Sequence, residues 1–192
     1  MSRIILSTAV EFGPLLTFAL LAEYTEFLFA VGVFMILTLV ALIVGYIERG
    51  GFAWFPFLVA VEIVTFGLMS LYFHNPTYFI IKDTLFNGFF AVLILGGVLF
   101  GKGFLKFLFQ DLFAMEDKGW YILSFRWGLM FLTLAVSNEV ARQLFDPVGW
   151  TRYKIFATVV TAIFALSQFW LAKGYRLPEA SPWGMRIKPR NV

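Results

Sequence analysis

Between Phe27 and Ile47 the chain runs without one charged residue. A bilayer core is crossed by about 20 apolar residues of helix, so this run constrains the fold more than any other feature. Similar stretches recur along the chain, and they are continuous rather than alternating, which argues against a transmembrane barrel. The composition agrees: 60% of the 192 residues are hydrophobic, 14% are charged, and 25 are phenylalanine. Six helices would occupy roughly 120 positions. The expected fold class is all-α, a polytopic transmembrane helix bundle of six spans, or five if the first only dips into the membrane, joined by short loops. A soluble enzyme, a disordered chain and a disulfide scaffold are excluded. Cysteine is absent and histidine occurs once, so thiolate metal sites are impossible and most zinc and haem ligand sets are lost. No cofactor is expected.

The spans read as about 4–22, 27–47, 52–73, 78–100, 119–141 and 150–172, in a single domain. The first is the weakest, because Glu11, Gly13 and Pro14 break it. The same breaks, before any small-residue cleavage site, make Met1 to Val10 a poor signal peptide. Glu48-Arg49-Gly50-Gly51 reads as a tight loop, and His74-Asn75-Pro76 and Asp146-Pro147-Val148-Gly149 as turns. From Lys102 to Met115 the spacing changes. Lys102, Lys106 and Gln110 recur every four residues among Phe104, Leu105, Leu108, Leu112 and Phe113. This pattern predicts an interfacial amphipathic helix over 102–115 with lysines toward anionic lipid; a polar extension of the fourth span is the alternative. Residues 173–192 carry five cations and three prolines, and read as a basic, cytoplasmic tail that is flexible or skirts the membrane.

The net charge is +3. In a membrane protein Lys and Arg collect on the cytoplasmic side, so the basic balance implies a lipid bilayer as partner and no nucleic acid. With the tail inside, six spans place Arg3, Arg49, Lys102, Lys106, Lys118, Lys173, Arg176, Arg186, Lys188 and Arg190 on the inner side. Lys82, Arg142, Arg152 and Lys154 fall on the outer side. Both termini are then cytoplasmic. A weak internal repeat is also visible: Asn75-Pro76 precedes Lys82, and Asp146-Pro147 precedes Lys154. A duplicated hairpin, or two turns obeying the same chemistry, explains it.

A charge in hydrocarbon costs roughly 2.5–3.5 kcal/mol on the insertion scale and therefore seeks a partner or water. Glu62 lies near the middle of its span, roughly 15 Å deep, and Glu11 and Arg126 lie roughly 10 Å from the inner face. Arg126 is at the depth to pair with Glu11 or to reach toward Glu62. These charges form either a structural interhelical pair or a substrate or proton site. His74, Asn75, Lys82, Asp83, Asn87, Asn138, Glu139, Arg142, Arg152 and Lys154 share one depth on the outer side, with Glu23 and Glu26. This cluster reads as a site for an anionic headgroup or phosphate-bearing lipid, or as the ordinary polar boundary of the spans. His74, alone in its turn, reads as a capping group and not a metal ligand. Tryptophans and tyrosines near span ends form aromatic belts. Gly96-Gly97, Gly101 and Gly103 offer close helix approach or simple flexibility. Metalloprotease, hydrolase-elbow, Walker A and Rossmann motifs are missing, so no catalytic residue is assigned and the chain reads as no enzyme.

Several marks coincide. Glu11-Phe12-Gly13-Pro14-Leu15 opens the first span, Tyr72-Phe73-His74-Asn75 closes the third and Lys82 opens the fourth; Trp127 and Asn138 lie in the fifth, and Trp150, Tyr153 and Lys154 open the sixth. In this order the sequence resembles the intracellular septation protein A family, also called YciB, over roughly Glu11 to Ala172. Pro76 after the His-Asn pair, Arg126 before the tryptophan and the long basic tail depart from that pattern. The resemblance implies a bacterial inner-membrane protein that supports envelope integrity, cell division and septum formation, with division and elongation proteins as partners and no settled activity or cofactor. A homo-oligomer is compatible with it. A small transporter or lipid-handling protein using the outer cluster and Glu62 is the rival reading.

Overall fold

The structure is a computed structural model that describes residues 2–49, 51–52, 54–110 and 112–187. It contains α1 (Ser2–Tyr24), α2 (Phe27–Arg49), α3 (Trp54–Tyr72), α4 (Thr77–Leu99), α5 (Phe104–Phe109), α6 (Asp117–Leu144) and α7 (Pro147–Gly174). Apart from isolated bridges, the described residues form no strand. This is the all-α, polytopic helical membrane fold expected of the apolar runs. Four helices, Phe27–Glu48, Thr77–Leu99, Asp117–Leu144 and Pro147–Gly174, are long and apolar enough to cross a membrane; Pro56–Tyr72 is apolar but shorter. α6 and α7 each have 28 residues, roughly 42 Å of helix, so their ends extend beyond the hydrocarbon. α1 stays helical through Pro14.

The turns explain where the helices stop. After α1 only Thr25 and Glu26 intervene, and the Thr25 N–H and hydroxyl both donate to the Leu21 carbonyl. After α3, His74 takes φ 50°. The His74 N–H donates to Leu71 O and the Asn75 N–H to Ser70 O. This is the paired bonding that closes a helix through a left-handed residue, here without glycine. The next helix starts at once, because the Asn75 side-chain oxygen accepts the Thr77 N–H at 2.9 Å. α7 begins by the same chemistry: Asp146 Oδ1 accepts the Gly149 N–H at 2.7 Å, with Pro147 in the first turn. Intrahelical threonine hydroxyls, Thr38 and Thr161 among them, bond back to the carbonyl four residues earlier, which hides a polar group from lipid.

The chain divides into two compact units, Met1–Asp83 with Glu139–Ile155, and Thr84–Asn138 with Phe156–Val192. The first has an aromatic core in which Phe18 meets Phe27, Phe34 and Phe79 at 5.2–5.7 Å between ring centres, and Trp150 meets Phe27 and Phe79. In the second, Ile94, Leu105, Met115, Trp120, Leu123 and Leu171 are buried together, and Trp127 packs edge-on against Phe164.

Two expectations are corrected in the second unit. The amphipathic helix over 102–115 is only six residues long, Phe104–Phe109. Gly103 lies where an added Cβ would be 3.0 Å from the Trp120 backbone, and the Leu105 N–H donates to the buried Ser124 hydroxyl. These contacts fix the start of α5. Its continuation is lost because residues 112–116 are extended and paired elsewhere. Their partner is the tail, which is folded through Ile187 rather than loose. Ala114 N–H donates to Gly184 O and Arg186 N–H to Leu112 O, while Leu177 N–H donates to Ala114 O and Glu116 N–H to Tyr175 O. The 112–116 segment thus satisfies its backbone on both edges. Gly50, Lys188 and Arg190 lie outside the described residues, as does the Glu11 side chain.

Candidate functional site: a buried, neutral charge cluster

The first unit holds four ionisable side chains in one cluster. Glu62 comes from the middle of α3, Lys82 and Asp83 from the second turn of α4, and Lys154 from the second turn of α7. Lys82 Nζ is 2.6 Å from Asp83 Oδ1 and 4.0 Å from Glu62 Oε1. Lys154 Nζ is 2.5 Å from the other Asp83 oxygen. Asp83 is therefore the hub, one oxygen on each ammonium. Glu62, Lys82 and Asp83 are 9%, 6% and 6% exposed. A lysine this close to a helix end normally carries its ammonium out to the headgroups; Lys82 instead keeps it inside, 4.8 Å from the Phe79 ring centre. Two carboxylates face two ammoniums, so the cluster is formally neutral. That balance is what lets four charges occupy a low-dielectric setting where any one alone would be costly.

The other singled-out residues settle in local arrangements. Arg152 and Glu23 form a two-pronged pair between α7 and the end of α1. The Arg152 hydrogen bond holds the Glu23 carboxyl below its usual range. Arg142 binds Glu139 one turn back along α6 at 2.5 and 2.9 Å, and Gln143 donates to the same carboxylate. His74 and Asn75 build the turn after α3, and the Ser70 hydroxyl donates to Asn75 O at 2.7 Å. In the second unit the buried Asn138 amide donates to Thr84 Oγ1 at 2.8 Å, joining α6 to α4. Asn87 is half-buried on α4, Glu26 is exposed in the first turn, and Arg126 lies on an exposed face of α6. Among the described residues no group of three His, Cys, Asp or Glu is placed to hold a metal.

In the sequence, Lys82, Asp83 and Lys154 group in one outer polar cluster, which Glu62 joins only in the rival transporter reading; the individual charges are not paired there. The missed member is the aromatic floor of Phe79. The available signal was the near-equal spacing of Lys82 and Lys154 from their proline turns; both lysines end on the same carboxylate.

The intracellular septation protein A family model matches residues 6–177. The chain belongs to that family. Curated relatives agree. The inner membrane-spanning protein YciB of Bradyrhizobium sp. (strain ORS 278) is 33% identical over 174 residues, covering 90% of this chain and 87% of that protein. The YciB of Agrobacterium fabrum is 34% identical over 180 residues, covering 85% and 88%. That of Afipia carboxidovorans is 35% identical over 175 residues, covering 90% and 87%. No solved structure matches the chain. This is therefore an inner-membrane protein of a septation family, and the family is not named for an enzymatic activity.

Proposed function

We propose that the chain is a non-enzymatic inner-membrane protein that supports envelope biogenesis, membrane integrity and septation by docking its helix faces on membrane proteins of the division and elongation machinery. The supporting observation is the charge cluster. Glu62, Lys82, Asp83 and Lys154 satisfy one another inside the chain, leaving outward faces that are apolar. On α7 the exposed stripe Phe156, Val159, Ile163, Leu166 and Trp170 recurs at helical spacing. In this reading all six long helices span the membrane and both termini are cytoplasmic, as the lysine and arginine distribution directs. Reporters fused after Met1 and after Val192 test the topology. A photoreactive residue placed at Val159, Ile163 or Leu166 tests the docking: crosslinks to division proteins concentrated on one helix face support it. Crosslinks spread evenly over all faces, or only to a second copy of this chain, count against it.

A transport or lipid-handling role is favoured by one observation, three buried charges and a half-buried fourth where a structural bundle needs none. Glu62→Gln in liposomes separates the readings. A pH-dependent flux lost in the variant would support transport; wild type and variant both at background would remove it.

A further inference from the structure

We propose that α5 and the folded tail form one rigid collar that seats on anionic phospholipid headgroups. Loops between spans are normally polar where they meet water. Here they are not. Phe107 is 77% exposed, and Leu108, Leu112, Trp183, Met185 and Ile187 are exposed beside it in sequence or across the paired backbone. Interleaved with them are cations: among the described residues, 102–110, 112–118 and 173–187 together hold six Lys and Arg against three Asp and Glu. That excess equals the net +3 of the whole chain. Lys106 pairs with Asp117 at 2.5 Å; the other cations, set among large apolar side chains, supply the chemistry of the headgroup boundary, where rings enter the acyl region and ammonium groups meet phosphate.

The surface is preformed. Backbone bonds hold 112–116 between 175–177 and 184–186. Arg186 Nε donates to Gln110 O at 3.0 Å and ties the tail to the end of α5. Lys173 lies over the Trp183 ring at 5.4 Å. Gly184 takes φ 78°, and an added Cβ there would meet Ala172 O at 2.7 Å, so the turn that brings Trp183, Met185 and Arg186 to the surface depends on glycine. A rigid platform loses little conformational freedom on docking. The leaflet it meets is the cytoplasmic one on the topology proposed above; lipid binding itself does not depend on the septation partners.

The experiment uses the full chain in neutral detergent and in nanodiscs of phosphatidylcholine with or without phosphatidylglycerol. Because cysteine is absent, Phe107→Cys accepts a single environment-sensitive label. In phosphatidylglycerol nanodiscs the label should be quenched by a shallow spin-labelled lipid and shielded from aqueous iodide. Phosphatidylglycerol, and not phosphatidylcholine, should raise the melting temperature in detergent. Neutralising Lys102, Lys118 and Lys173 to Gln should weaken that response about five-fold per cation, with melting in lipid-free detergent checking that the variant folds. Equal responses to the two lipids, or an unchanged response in the folded variant, would overturn the proposal. So would a polyglutamate peptide that matches phosphatidylglycerol and abolishes its effect, since the collar would then be a dock for an acidic protein segment. These readouts use the isolated chain, so they stand whether or not crosslinks to division proteins are found.

Discussion

The two places where this chain concentrates charge obey opposite rules. In the first unit, Glu62, Lys82, Asp83 and Lys154 are mostly withdrawn from solvent and sum to zero. In the second, the collar of α5 and the tail exposes its cations and keeps a positive excess. The contrast follows from dielectric. Inside hydrocarbon an uncompensated charge costs several kcal/mol, so charges enter only as balanced sets with fixed partners. At the headgroup boundary water and counter-ions screen each charge, so a net excess is tolerated and remains available to a ligand. Charge in the interior holds helices together, and charge on the collar reaches outward.

Breaking the interior balance should give the largest effect. Asp83→Asn removes the hub and leaves two ammoniums facing one distant carboxylate. A buried pair that loses one member costs about 3–5 kcal/mol, and unfolding in detergent should show that loss. The decisive control is Asp83→Asn combined with Lys154→Gln, which removes one charge of each sign and should recover more than half of the loss. If the double variant is as unstable as the single one, side-chain packing and not charge balance explains the cluster. A smaller effect is expected where the polar group caps a helix instead of neutralising a charge. Asn75→Ala removes the acceptor for the Thr77 N–H and should cost about 1 kcal/mol. Asp146→Ala at the start of α7 should match it, because the two turns use the same chemistry. Unequal losses would show that resemblance of the turns is only formal.

What could be read in advance divides along the same line. The long helices were legible because burial in lipid imposes a length and a composition on each segment separately, as at Phe27–Arg49 and Thr77–Leu99. The turns at Asn75-Pro76 and Asp146-Pro147 were legible because a cap acts over two or three residues. Partner choice was not. Lys154 and Asp83 are 71 residues apart, and Glu62 at equal distance from both ends of its span is compatible with several cations until helix packing selects Lys82. Of the two readings of the tail, flexible or skirting the membrane, only the flexible one fails, for a related reason. Its prolines and cations suggest a loose segment, yet its order comes from the backbone of Leu112–Glu116, which accepts and donates bonds that no side-chain pattern announces. Leu112, Phe113, Ala114 and Met115 are all apolar and carry no alternation of period two, so the four-residue lysine spacing before them dominates the local pattern.

The smallest expected effect lies between the two regimes, at Glu23 and Arg152. This pair is two-pronged, like a good buried pair, but both side chains reach solvent. Exposure should make geometry count for little, since water competes for both groups. Glu23→Gln should therefore change the melting temperature far less than Asp83→Asn at neutral pH. The pair still leaves a signature in pH, because the Arg152 hydrogen bond lowers the Glu23 pKa from 4.5. A lowered folded-state pKa contributes stability that is fully present above the unfolded value and is lost as pH falls through the folded one. The gap between wild type and Glu23→Gln should thus be constant from neutral pH down to about 4.5 and close below it. Added salt should shrink the same gap while leaving the Asp83→Asn penalty nearly unchanged, because the Asp83 carboxylate is shielded from solvent. A salt response of equal size at both sites would mean that the interior cluster is wetter than its burial indicates, and the distinction between balanced interior charge and screened surface charge would fail.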